Sequence, residues 1–164
     1  MTTERTDDER ELAAEAWRLM AEFSFSRFMG SDHVRILREL GLTPGHMKAL
    51  SILDPDRPKP MRSMADSLAC DASMVTWLVD RLEERGLVER RASTTDRRVK
   101  TVVLTGEGIE LRERLRAALY APPPELLALD EAELRTLCET LRRIPPRQTF
   151  WPVGSREGAE NEAV

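Results

Sequence analysis

Only two cysteines, Cys70 and Cys138, and two histidines occur in 164 residues, with no Cys-x-x-Cys or Cys/His spacing of the kind that holds a metal. No metal and no cofactor is therefore expected. A glycine-rich phosphate loop and a Ser/His/Asp or Cys/His constellation are missing as well, which argues against an enzyme. Nothing approaches the roughly 18 consecutive apolar residues that a membrane span needs. The acidic run of Glu4, Asp7, Asp8, Glu9 and Glu11 does not suit a secretory signal, so the cytoplasm is the expected compartment. There is no internal repeat.

What is present suits a soluble, helix-rich domain: 41% of residues are hydrophobic and 33% charged. The net charge of -4 at first opposes a nucleic-acid partner. Its distribution reverses that. Residues 1–60 carry 9 positive and 11 negative groups, residues 106–164 carry 8 and 11, and residues 61–105 carry 8 and 7. The middle segment is the one with a positive balance, and five cations (Arg90, Arg91, Arg97, Arg98, Lys100) against Asp96 concentrate it between positions 90 and 100.

That middle segment reads as a short helix, a tight turn, a longer helix and a hairpin. Ser63, with Asp66 three residues on, has the spacing of a helix cap. Asp71 is placed to cap the second helix and Gly86 to stop it in a left-handed conformation. Met74, Val75, Leu78, Val79 and Leu82 recur at three- and four-residue spacing and are assigned to the core. Ser73, Thr76, Trp77, Asp80 and Arg81 fall on the opposite face. Two β-favouring runs, 87–90 and 101–104, then flank a long basic tip, which suits phosphates and a narrow minor groove.

At this point the chain resembles the MarR-type transcriptional regulators. The resemblance rests on the run from Asp71 to Arg90, and on Asp96-Arg97-Arg98 followed after five residues by Leu104-Thr105, the family's wing signature D-x-R-x(5)-L-T. It covers roughly 42–110. It implies a mainly α fold with a small β-hairpin wing: a winged helix-turn-helix at 42–110 and dimerisation helices at 1–41 and 111–144; residues 145–164, polar and Pro/Gly-bearing, are read from their composition as a mobile tail. The resemblance also implies a homodimer acting on double-stranded DNA, by default a repressor on a pseudo-palindromic operator, responsive to a small molecule. The competing reading is a winged-helix protein-interaction module that no longer binds DNA.

The site residues follow from the two readings together. Arg98 matches the family's minor-groove arginine, and Asp96 is expected to hold its guanidinium. Arg90, Arg91, Arg97 and Lys100 serve either phosphates or solubility. Ser73 and Thr76 fall where a recognition helix meets base edges. Trp77 stands where relatives often carry arginine; it either meets sugar or a thymine methyl, or packs sideways. Arg81 is read as a phosphate contact or an i,i+3 partner of Glu84, and Arg62 as a backbone anchor or a solvated charge.

Outside the reader, residues 6–29 form one helix with two adjacent apolar stripes, Leu12/Ala16/Leu19/Phe23 and Ala13/Trp17/Met20/Phe28, a face wide enough to need more than one partner. Thr43 and Pro44 start another helix, and 54–60, with three prolines, is a loop. Trp17, Phe23, Phe28, His46 and Met47 are the candidate lining of a ligand pocket, against the plainer reading that they are core. Some regulators resembling this one sense oxidants through a cysteine in the amino-terminal helix, which residues 1–69 do not contain, and Cys70 is read as a small structural residue.

Overall fold

The computed structural model describes residues 6–93, 96–144 and 151. Thr6 opens the chain's longest helix, α1 (Asp7–Gly30), through a capping box: its hydroxyl accepts the Glu9 amide, and the Glu9 carboxylate accepts the Thr6 amide. Ser31 interrupts it and α2 (Asp32–Glu39) follows; two residues past its end, Gly41, at φ +61°, turns the chain back. Thr43 caps α3 (Pro44–Ser51), with Pro44 in the first turn as expected.

The 54–60 segment is more than a loop. Its last two residues form β1 (Lys59–Pro60), which pairs antiparallel with β3. Proline is tolerated here because β1 is an edge strand. The helix-turn-helix comprises α4 (Met61–Leu68) and α5 (Ala72–Glu84), with Ala69 left-handed at φ 51° between them. Pro60, not Ser63, occupies the cap of α4; Ser63 lies inside the helix, where its carbonyl accepts the Ser67 hydroxyl. A proline is a workable start, since the first helical amides lack intrahelical partners anyway.

In α5, Asp71 caps as expected: its carboxylate accepts the Met74 amide at 2.8 Å and the Ser73 hydroxyl at 2.5 Å. These two bonds, the Ser73 one foremost, hold the Asp71 carboxyl below its usual range. Val75, Leu78, Val79 and Leu82 are buried as the spacing predicts. Met74 is not: it is exposed, because the buried stripe is narrower than the run of apolar residues.

Gly86, at φ +68°, ends the helix and sends the chain into β2 (Val88–Ala92) and β3 (Lys100–Leu104), registered from Val88 against Leu104 to Ala92 against Lys100. The sheet order is β1-β3-β2. Both strands reach further than the sequence suggests, so the hairpin tip is shorter. Thr105 then joins sheet to helix. Its amide donates to the Leu87 carbonyl, its hydroxyl to the Gly86 carbonyl at 2.6 Å, and the same oxygen accepts the Gly108 amide to cap α6 (Gly106–Tyr120).

One core gathers Leu37, Met47, Leu50, Leu53, Met64, Val79, Leu82, Val102 and Leu115, among others. Trp151, assigned to the tail in the sequence reading, also lies in it, with the buried Arg112 guanidinium 5.4 Å from its ring centre. The other tail residues, 145–150 and 152–164, fall outside the described part. Three consecutive prolines, Pro122–Pro124, follow α6, and the last of them opens α7 (Pro124–Leu127), a single turn, ahead of α8 (Glu131–Arg142), capped by Asp130 and Glu133. Neither contains a buried residue. Arg27 of α1 reaches Glu125 of α7 at 3.0 Å.

Two outcomes follow. A Cβ on Gly108 would stand 1.9 Å from the Leu87 carbonyl oxygen, so Gly108→Ala is expected to destabilise the fold by about 3 kcal/mol in urea unfolding, whereas Gly106→Ala, with nothing within 4 Å, should change it little. Burial holds both His33 and His46 below the usual histidine value, with the Arg81 charge adding to the effect at His46. The unfolded chain therefore binds more protons, and stability should fall as the pH drops below the unfolded value near 6.5. A His46→Gln variant should show a shallower fall between about pH 6.5 and 5, a range above most carboxylate titration.

Candidate nucleic-acid interface

The outer face of α5 and the hairpin tip lie on the same part of the molecule because β2 follows α5 after one turn and is tied back to it. The tie is Arg90. Its guanidinium reaches Asp80 at 2.5 Å, binds Glu83, and donates to the Thr76 carbonyl at 3.3 Å, while its backbone amide donates to Glu83 at 2.9 Å. These two carboxylates hold the Arg90 guanidinium above its usual value against the opposing pull of burial. Arg90, the end of the β-favouring run 87–90 and one of the cations counted between 90 and 100, thus belongs to the base of the wing, clamped to α5. Asp80 and Glu83 carry this function without having been singled out. The signal was weak: an ion pair spanning seven and ten residues across a helix stop leaves no local periodicity.

Arg91 is exposed and pairs with Glu89 at 2.8 Å. Beyond it, Asp96 organises the tip, but differently from expectation: its carboxylate accepts the Arg98 backbone amide at 2.9 Å and its carbonyl accepts the Val99 amide at 2.9 Å. It makes a turn rather than gripping the Arg98 guanidinium. Ser93 closes the tip by donating its amide to the Val99 carbonyl. Arg97, Arg98 and Lys100 are exposed and form no ion pair among the described residues. Among the described residues, three cations without a carboxylate partner therefore stand at the hairpin tip, Arg97 and Arg98 in the turn and Lys100 at the start of β3.

On α5, Ser73 and Thr76 are exposed, but both hydroxyl protons are engaged, Ser73 to Asp71 and Thr76 to the Ala72 carbonyl at 2.9 Å. They present acceptor lone pairs. Arg81 pairs with Glu84 at 3.0 Å, the i,i+3 pair expected of it. Arg62 is exposed in the first turn of α4. Trp77 is 53% exposed, and its ring rests on His46, centroids 4.8 Å apart at 49°. It both packs sideways and keeps a free face.

The candidate ligand residues do not converge within one chain. His46 and Met47 are buried in the core beneath α5, while Trp17 and Phe23 are exposed on α1. The Phe28 side chain lies outside the described part. His46 is occupied structurally: its Nδ1 accepts the Thr43 amide at 3.0 Å, completing the cap of α3. Among the described residues no three His, Cys, Asp or Glu side chains converge as a metal would need, and no helix is long and apolar enough to cross a membrane.

Comparison with known proteins gives these features a common setting. The family model described as the MarR family matches residues 42–100, the stretch from the start of α3 through the wing tip. The HTH-type transcriptional regulator MhqR of Bacillus subtilis is 30% identical over 116 residues, which span 70% of this chain and 80% of that protein. Among solved structures, YusO of B. subtilis superposes with a TM-score of 0.67 at 22% identity, over 86% of this chain and 97% of the other. A mutant of MepR from S. aureus, bound to an oligodeoxyribonucleotide, gives 0.62 at 21% identity over 80% and 94%. These structural likenesses establish the mainly α fold with its small three-stranded sheet. With the wing signature, the helix-turn-helix and the MhqR relationship, they show that the chain belongs to the MarR family of transcriptional regulators.

Proposed function

We propose that this chain is a homodimeric repressor that binds a pseudo-palindromic DNA site and releases it when a small molecule binds. The observation that carries the reading is the wing tip, where Arg97, Arg98 and Lys100 are exposed and uncommitted although the protein is acidic as a whole. Such charges gain most where phosphates and the narrow minor groove supply a strong negative potential. Arg98 is the residue assigned to the minor groove, with Arg97, Lys100 and Arg91 toward the phosphates. Ser73, Thr76 and Trp77 face base edges in the major groove, Arg81 and Arg62 the backbone. A MepR mutant, a structural neighbour, is seen with an oligodeoxyribonucleotide, and another relative, MdtR of B. subtilis, is an HTH-type transcriptional repressor.

Dimerisation is supported by the surface that one chain leaves uncovered. Leu12, Trp17, Leu19 and Phe25 on α1, with Tyr120, Leu127, Leu141 and Ile144 toward the carboxyl end, are more than 40% exposed. A single-chain protein rarely leaves so many large apolar groups in water. Two copies joined there present their recognition helices to successive major grooves, roughly 34 Å apart. An effector bound near Trp17 and Phe23, between the dimer helices and the readers, favours a spacing that fits DNA poorly. The protein acts in the cytoplasm, where its DNA is.

The test is binding of the purified protein to its own promoter-region DNA and to random DNA at two salt concentrations. Selective binding by two protomers, weakening steeply with salt, is the expected result; equal, salt-insensitive binding to both would favour an interaction module that has lost its DNA. Arg98→Ala should weaken operator binding by about 1–3 kcal/mol with thermal stability unchanged. Arg90→Ala should behave oppositely in the first instance, lowering stability by about 1–2 kcal/mol because Asp80 and Glu83 lose their shared partner.

A further inference from the structure

The recognition helix has few groups left with which to discriminate among bases. The Ser73 and Thr76 hydroxyl protons are bound within the helix and its cap, Arg81 is paired with Glu84, and Asp80 is taken by Arg90. What remains facing outward with large area is apolar: the indole of Trp77, 53% exposed, and one turn earlier Met74, 46% exposed. Met74 is a flexible thioether chain with three rotatable bonds. Trp77 is different because something lies beneath it.

That support is His46. Its ring is 4.8 Å from the indole, centroid to centroid, and is itself 1% exposed. Two features fix it. The Thr43 amide donates to Nδ1, and the Thr43 hydroxyl oxygen is 2.7 Å from the same nitrogen. Accepting the amide requires a lone pair on Nδ1, so the proton of the neutral ring sits on Nε2. The α3 start also runs close against α5, since a Cβ on Gly45 would lie 3.4 Å from Leu78. The imidazole is thus a rigid floor set by one helix under the aromatic side chain of another.

We propose that His46 is a positioning residue for operator reading: it holds the Trp77 indole as a preformed apolar surface matched to thymine 5-methyl groups in the major groove. The inference rests on the DNA-binding reading above. The thymine methyl is the apolar feature that the major groove offers, and an indole held still before contact is its natural complement. An unsupported tryptophan must be ordered on docking, a cost that weakens binding by roughly two- to twelve-fold per side chain.

The experiment uses the full-length protein and duplexes that it selects from a random pool, remade with uracil in place of thymine one position at a time. Wild type should lose about four-fold in affinity for each contacted methyl removed. Trp77→Ala should bind thymine and uracil duplexes equally. His46→Gln retains an acceptor for the Thr43 amide but lacks the ring, and should lose most of the thymine preference. His46→Phe retains a ring without the acceptor and should keep it. Binding to random DNA should be the same for wild type and both His46 variants, because His46 is buried and phosphate contacts are untouched. Should His46→Phe fail to fold by circular dichroism, the Gln and Ala variants decide alone. Wild-type thymine preference in His46→Gln, or selected sites indifferent to uracil, overturns the inference and leaves DNA binding standing. A protein that binds no duplex at either salt overturns the DNA reading, and the inference with it.

Discussion

The wing and the recognition helix are held to the body of the protein by the junction of Thr105 with Gly86, Leu87 and Gly108. One threonine donates its amide to Leu87 and its hydroxyl to Gly86, then accepts the Gly108 amide. Three elements therefore meet on a single side chain: the end of α5, the exit of β3 and the first turn of α6. Gly108 lies so close to the Leu87 carbonyl that any side chain would force them apart. This gives physical content to the Leu104-Thr105 end of the wing signature: Leu104 is buried in the core while Thr105 locks the wing to the helix behind it.

Charge is partitioned on the same scaffold. Arg90, Asp80 and Glu83 neutralise one another at the base of the wing, and Arg81 with Glu84 and Arg91 with Glu89 do so at its margins. Exposed pairs of this kind contribute little to stability. Their effect is on the surface field: carboxylates that would repel a polyanion are occupied, and the tip cations are left uncompensated. An acidic protein thereby presents a basic point. The clamp through Arg90 is half-buried, and its worth is geometric as much as energetic, since it fixes the wing's angle to α5.

Legibility in the sequence followed the range of the interaction. Thr43-Pro44, Asp71, Gly86 and the 3.6-residue stripe of α5 were readable because each signal and its partner lie within four residues. Ser63 and Met74 misled for the same reason, since each obeyed a local rule that the surroundings overrode. Pro60 already starts α4, and the core beneath α5 has room for one stripe. The edge strand Lys59–Pro60 was hidden because two residues carry no alternation and proline argues against a strand. Trp151 gave no sign of burial, since the proline-bearing segment 145–154 carries no helical or strand periodicity; its place depends on α6, some forty residues earlier in the chain.

Local chemistry in the chain determined the elements, the helix stop at Gly86, the order of helix, turn, helix and wing, and the clustering of cations between 90 and 100. Those follow from backbone capping and periodicity, which act over one or two turns. Which of the cations are paired was decided by tertiary structure, because Arg90 finds its carboxylates on another element whereas Arg97, Arg98 and Lys100 find none among the described residues. The same holds for His46 and Trp77, thirty-one positions apart and joined only when α3 packs across α5. Sequence spacing cannot report such a meeting, since burial and pairing across elements depend on where the folded backbone brings them.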